Sequence, residues 1–289
     1  MGKTITLLGH AKVNLALDIT GQRPDGYHMM DMINRSVDLS DRLTIKKSKG
    51  REHTLLLGAK IRDDPHNTVL RAADRVARFL ETDLHPMDFE MDKKIPAMAG
   101  LGGGSADAAA AIVGINNLLE LKLTDSQLQQ IGLSVGADVP FCIKGGAARV
   151  KGIGEVIRPI EDACQYIMVI VKPYRKRSTA EAFRELDKGN LCHPDVQLAE
   201  KYLTAGDLAG LSGCIGNAFF NPVTDTQTGE LLDRLKREGA LGASMSGSGS
   251  AVFGLYQDPE LAAVCVENFR KDNVLAFVSN PLDCGVSIK

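Results

Sequence analysis

Apolar positions along this chain of 289 residues switch repeatedly between a period of two and a period near four. Over residues 13–20, Val13, Leu15, Leu17 and Ile19 alternate with Asn14, Ala16, Asp18 and Thr20, the spacing of a half-buried strand. Lys12 and Asn14 lie two apart, so both are expected to project from the same, more polar face. Further strand-like runs cover residues 4–8, 33–39, 42–45, 54–57, 85–91, 141–143, 147–151, 166–172, 251–256 and 274–278. Helical spacing marks residues 67–80, where Val69, Ala72, Ala73, Val76, Ala77 and Leu80 share one face. It returns at 105–121, 124–133, 179–186, 229–238 and 259–269. A second strand and helix series starts after residue 160, which predicts one domain over residues 1–160 and another over 161–289. Taken alone, the pattern predicts mixed α and β structure in two halves.

One stretch interrupts the alternation. Residues 96–109 carry Gly100, Gly102, Gly103 and Gly104, then Ser105 and the alanine-rich run from Ala106. Glycine tolerates positive φ and lets a ligand approach bare backbone. Ser105 is a good N-cap and the alanines are strong helix formers, so a glycine loop opening onto a helix N-terminus is expected. Free N–H groups and the positive end of the helix dipole there form an anion site, most naturally for phosphate. The plainer alternative is a flexible turn before a buried alanine helix. Two familiar phosphate motifs do not fit. A dinucleotide fingerprint read from Gly100 needs glycine where Ser105 stands, and the Gly-Lys-Thr triplet at Gly2, Lys3 and Thr4 has no upstream glycine.

Composition narrows the classes. The net charge of −2 provides no field for nucleic acid or a membrane surface. Tryptophan is absent and aromatic residues make up 5%, against stacking platforms for single strands. Six scattered cysteines without a C-x-x-C pair suggest neither a zinc site nor a disulfide framework, so free thiols in a reducing, cytoplasmic setting are expected. The start of the chain lacks the apolar centre of a signal peptide, and no apolar run is long enough to span a membrane.

Three further groups could carry chemistry. Lys12 could neutralise charge on a transferred phosphoryl and Asn14 could orient a polar substrate, or Lys12 is an ordinary surface lysine on a strand. Asp138, between Gly136 and Pro140, could accept a hydroxyl proton, or simply end a helix. The run Ser246-Gly247-Ser248-Gly249-Ser250 permits close backbone approach, or is a turn into a core strand. None of these is specific alone.

Their combination resembles the GHMP small-molecule kinases. The resemblance rests on four segments: residues 11–17 with Arg23-Pro24-Asp25-Gly26-Tyr27-His28, residues 96–109, Gly136-Ala137-Asp138-Val139-Pro140-Phe141, and Met245-Ser246-Gly247-Ser248-Gly249. The glycine segment is shared by mevalonate, homoserine and galactose kinases. The first segment is narrower and resembles the branch acting on a cytidylylated methylerythritol in the non-mevalonate route to isoprenoids. Family membership implies an α+β fold in two domains. The N-terminal one resembles the second domain of ribosomal protein S5, the C-terminal one is of the GHMP type, and the active site lies between them. It also implies transfer of the γ-phosphoryl of ATP to the 2-hydroxyl of the alcohol, assisted by Mg²⁺ whose ligands stay unassigned.

Residue by residue, Lys12 and Asp138 match the catalytic pair. Ala97, Met98, Ala99, Gly100, Leu101, Gly102, Gly103, Gly104, Ser105, Ala106 and Asp107 match the stretch around the ATP phosphates, with Ser105 able to reach a phosphate or the metal. Asn67 and Lys94 match positions near adenine. Asn14, Tyr27 and His28 match substrate positions, and Phe183 is a candidate for the far face of a cytosine sandwich. The chain departs from the family pattern at Gly9-His10, at residues 218–221 and at Ser250. A monomer or homodimer with small-molecule substrates is expected, and the charge balance predicts neither nucleic-acid nor membrane partners. The alternatives are another GHMP kinase with a mevalonate- or homoserine-like alcohol, which has no base to stack on Tyr27 and His28, or a catalytically silent nucleotide-binding relative.

Overall fold

The computed structural model describes residues 3–58, 60–61, 64, 66–174, 179–186, 192–222 and 225–289. In the first half run β1 (Thr4–Gln22), β2 (His28–Lys47), β3 (Thr54–Leu57), β4 (Lys60–Ile61), α1 (Thr68–Leu80) and β5 (Met87–Asp92). They are followed by α2 (Gly103–Leu118), α3 (Asp125–Val135), α4 (Val139–Lys144), β6 (Ala147–Gly152) and β7 (Val156–Pro159). The second half holds β8 (Ile167–Lys172), α5 (Thr179–Leu186), α6 (Val196–Ala205), α7 (Leu208–Cys214), β9 (Gly216–Asn217) and α8 (Thr226–Arg237). It closes with β10 (Gly242–Met245), β11 (Val252–Tyr256), α9 (Pro259–Lys271), β12 (Leu275–Ser279) and β13 (Val286–Ile288).

The long antiparallel hairpin of β1 and β2 is the spine of the first sheet, in register from Thr4 opposite Lys46 to Gln22 opposite His28. The separate runs expected at 4–8 and 13–20 are one strand, and so are those at 33–39 and 42–45. Register shifts between His10 and Lys12, and again between Asn14 and Ala16, carry β1 through the break. A bulge turns successive side chains to new directions, and a count of alternate positions cannot follow it. Every residue from Gly9 to Leu17 is buried, so the face of Lys12 and Asn14 is polar but not exposed. On β2, β5 covers the second half and β6 the first. On β1, β13 pairs antiparallel near the start and β9 parallel at Ala16 and Leu17. The second sheet is antiparallel in the order β10, β11, β8, β12.

Helix α2 lies deep in the first half, with Ala106, Ala108, Ala109, Ala110, Ala111 and Ile112 all buried. Small side chains let a helix be covered on nearly every side without wasted space. The helices at 67–80 and 124–133 are found as expected, capped by Asn67 and by a Thr124–Gln127 capping box. Residues 141–143, expected as a strand, are helical in α4. Pro140 in the first turn favours that helix, and so short an apolar run carries no period of its own. Helices α6 and α7 and strands β10 and β13 were not anticipated. The first two start at Asp195 and Asp207, whose carboxylates accept from the Leu198 and Gly210 N–H groups. Among the described residues no helix is long and apolar enough to cross a membrane.

His10 pins the last strand to the first, its Nε2 lying 2.9 Å from the Ser287 hydroxyl. Burial lowers its pKa from the ordinary 6.5, against a smaller upward pull from Asp38. His53 is lowered too, again chiefly by burial. Below pH 6.5 the unfolded chain therefore takes up protons that the folded chain resists. Stability should fall as the pH drops from 6.5 towards the folded values, and Tm measured from pH 7.5 to 5.5 should fall less steeply in His10→Gln, which retains the His53 contribution.

Candidate active site

After β5 the chain crosses to α2 through residues 93–102, and this crossing is anchored at both ends. Asp41 of β2 is 1% exposed, and its Oδ1 accepts from the backbone N–H groups of Lys94 (2.5 Å) and Ile95 (2.8 Å). The Lys93 ammonium bridges Asp41 and Asp107, 2.5 Å from Asp107 Oδ2. Burial pushes the Asp107 carboxyl up to about 7, against the pull of Lys93 and with added repulsion from Asp41. Further on, Ala251 N–H donates to the Ala99 carbonyl (2.9 Å) and Lys12 N–H to the Leu101 carbonyl (3.0 Å). Ala97 and Met98 stand at the surface, while Ala99, Leu101, Ala106 and Asp107 are buried.

Helix α2 begins two residues earlier than expected. Gly102, at φ 70°, takes the cap position, and Ser105 is the third helical residue rather than the cap. Only glycine serves well at Gly102: its φ is left-handed, and an added Cβ would lie 3.0 Å from Lys12 Cγ. The N–H groups of Gly103, Gly104 and Ser105 head the helix without an intrahelical partner, the arrangement of an anion site.

Beside that helix end, Lys12 Nζ is 3.3 Å from Asp138 Oδ2 and donates to Asn14 Oδ1 at 2.9 Å. The Lys12 side chain is 5% exposed and that of Asp138 is 32% exposed, so the carboxylate is the member of the pair open to solvent. Asp138 stands at the head of α4 but makes no side-chain cap bond, which leaves its carboxylate to the contact with Lys12. Asn14 is fully buried behind Lys12. The Gly/Ser loop packs on the glycine loop: Ser246 Oγ donates to the Gly100 carbonyl (2.9 Å), and Gly247 N–H donates to Asn14 Oδ1 (2.8 Å). Asn217 holds the Gly/Ser loop from the other side, its amide donating to the Met245 (2.8 Å) and Gly247 (2.9 Å) carbonyls.

The other expected site residues are spread more widely. Tyr27 is 62% exposed in the loop joining β1 and β2. His28 stacks on Phe183 with ring centroids 4.8 Å apart, and Phe183 meets Phe219 edge-on at 5.0 Å. Two of the three rings expected around a base, His28 and Phe183, thus touch each other. Asn67 is committed to capping α1, its Oδ1 accepting from Val69 N–H at 2.9 Å, next to the first turn of α2. The Lys94 side chain is exposed, and its backbone N–H is held by Asp41. Pattern reading passed over Asp41, Lys93 and Asn34. Their partners lie on other elements, and no local spacing announces them.

Two family signatures match the chain, GHMP kinases N terminal domain over residues 67–146 and GHMP kinases C terminal over residues 196–274. The chain is 39% identical over 272 residues to the 4-diphosphocytidyl-2-C-methyl-D-erythritol kinase of Alkaliphilus metalliredigens, covering 92% of each protein. It is 37% identical over 266 residues to the enzyme of the same name from Clostridium novyi, covering 90% of this chain and 94% of that one. The chain belongs to the 4-diphosphocytidyl-2-C-methyl-D-erythritol kinase family of GHMP kinases. A solved structure of a 4-(cytidine 5'-diphospho)-2C-methyl-D-erythritol kinase is 28% identical, with TM-score 0.77 over 95% of this chain and 99% of its own. A homoserine kinase from Cytophaga hutchinsonii, at 21% identity and TM-score 0.79 over 100% of this chain and 98% of its own, shares the fold. The two-domain α+β architecture is that of the GHMP kinases.

Within this GHMP kinase the contact between the two loops depends on Gly100, whose φ is 75° and whose added Cβ would run into the Ser246 carbonyl. The left-handed backbone alone costs a larger residue about 1–2 kcal/mol. Gly100→Ala should therefore lower unfolding free energy in urea by more than that, and nucleotide affinity measured by calorimetry should fall with it.

Proposed function

We propose that this chain transfers the γ-phosphoryl of ATP to the 2-hydroxyl of the methylerythritol moiety of 4-diphosphocytidyl-2-C-methyl-D-erythritol, in the non-mevalonate route to isoprenoid precursors. The observation that carries the reading is the pair of Lys12 and Asp138, 3.3 Å apart beside the glycine-headed end of α2. Residues 1–160 supply the phosphate loop, and residues 161–289 supply Phe183 and the Gly/Ser loop on the substrate side. Phosphoryl transfer asks mainly for alignment and charge stabilisation. The unpaired N–H groups of Gly103, Gly104 and Ser105 hold the phosphate tail, together with the backbone from Ala97 to Gly102. Lys12, held between Asp138 and Asn14, steadies the charge that develops on the moving phosphoryl. Asp138 receives the hydroxyl proton, and the Lys12 ammonium 3.3 Å away orients the carboxylate for it.

Among the described residues, no group of three or more His, Cys, Asp or Glu side chains is placed to hold a metal ion. Mg²⁺ takes much of its octahedral shell from water and substrate phosphates, and the hydroxyl of Ser105, in the first turn of α2, is the side chain that would hold an ion brought in on ATP. Such an ion would neutralise phosphate charge. We assign Tyr27, His28 and Phe183 to the cytosine, and Asn67 and Lys94 to the adenine. All six cysteines are free thiols, which supports a reducing, cytoplasmic setting.

ADP release coupled to an optical readout should require the cytidylylated alcohol and should be absent with mevalonate or homoserine. Release without any alcohol, or with those alcohols instead, would replace this reading with another. Asp138→Asn should lower kcat by about 10²–10⁴, the range for a general base. Tyr27→Ala should raise KM for the cytidylyl substrate and leave KM for ATP within about twofold, as loss of a contact to one ligand requires.

A further inference from the structure

The amide of Asn14 is used to capacity. Its Oδ1 accepts from Lys12 Nζ (2.9 Å) and from Gly247 N–H (2.8 Å), filling both lone pairs. Its Nδ2 donates to Asn34 Oδ1 (2.6 Å) and points its other hydrogen at Met32 Sδ (3.3 Å). Asn34 stands directly opposite Asn14 in the β1–β2 register, and both residues are fully buried.

These bonds have a direction. Lys12 and the Gly247 N–H can only donate, so Asn14 must show them its oxygen and turn its NH₂ towards Asn34. Asn34 must then present its own oxygen, and its buried NH₂ is left without a partner among the described residues. An unpaired buried amide donor destabilises the fold. Asn34 therefore carries a burden that packing alone does not explain, because an apolar residue of similar size would avoid it. What the asparagine provides is one acceptor at one place.

We propose that Asn34 is a positioning residue for Lys12. By accepting from Asn14 it fixes the Asn14 oxygen between the Lys12 ammonium and the Gly/Ser loop, and so holds that ammonium at the distance from Asp138 at which phosphoryl transfer proceeds. It touches neither substrate and acts only through Asn14. Without its acceptor, the buried Asn14 NH₂ turns to find another, and Lys12 loses the tether that opposes the pull of Asp138.

The inference rests on the catalytic reading of Lys12, and the test separates the two. Wild-type protein, Asn34→Leu and Asn34→Asp are compared in steady-state turnover of ATP and the cytidylylated alcohol, with Tm recorded for each. Absence of wild-type turnover would remove the catalytic reading itself. With wild type active, Asn34→Leu should lower kcat by about 10- to 100-fold, the scale for a slightly misplaced reacting group, while both KM values stay within about twofold. Asn34→Asp keeps an acceptor for Asn14 and should recover most of that turnover. Unchanged kcat in a folded Asn34→Leu, a loss expressed in KM, or an Asn34→Asp as slow as the leucine variant would each overturn the proposal. Should Asn34→Leu fail to fold, Asn34→Ser, whose shorter side chain cannot reach Asn14, is read by the same criteria.

Discussion

A lysine ammonium withdrawn almost completely from water must be compensated at short range, and most of the geometry around Lys12 meets that demand. Asp138 supplies the opposite charge and Asn14 a neutral acceptor. Gly102 supplies the space for the lysine stem, and the bond from Lys12 N–H to the Leu101 carbonyl fixes the glycine loop to the same residue from the backbone side. One buried cation thus sets the position of a strand, a helix start and a loop together.

The two halves of the chain meet around that point through polar contacts rather than through apolar packing alone. Ser246, Gly247 and Asn217 bring the Gly/Ser loop against Gly100 and Asn14. On another side of β2, Arg35 pairs with Asp162 at 2.8 Å and with Asp283 at 3.0 Å, and the Tyr166 hydroxyl donates to Asp162. Arg35, Asp162 and Tyr166 are buried while Asp283 is exposed, so removing Arg35 or Asp162 strands a buried partner, and those contacts support one another.

Much of this was legible in the chain itself. The two-residue spacing of Lys12 and Asn14 put them on one face, and the glycine run ahead of the alanines announced a loop opening onto a helix N-terminus. The approach of Asp138 to Lys12 could not be read from spacing and came only from resemblance, because it depends on how α4 closes over β1. The bulges in β1, the strand β13 and the bond between Asn14 and Asn34 were invisible for the same reason. Each depends on a partner far away in sequence, and periodicity registers only neighbours. Ser105 shows the converse. A good local cap signal was overridden because Gly102 could adopt a left-handed turn beside the lysine stem.

The stack of His28 on Phe183 has a thermodynamic consequence for ligand entry. In the proposed reading a pyrimidine docks on rings of which two, His28 and Phe183, already keep their facing surfaces dry. Association then dehydrates only the ring faces that this stack leaves open. Because heat-capacity change follows the apolar area newly removed from water, docking of the base carries a smaller negative ΔCp than its full ring area would give. Discrimination among bases consequently rests on their edges, where hydrogen bonds differ, more than on their faces.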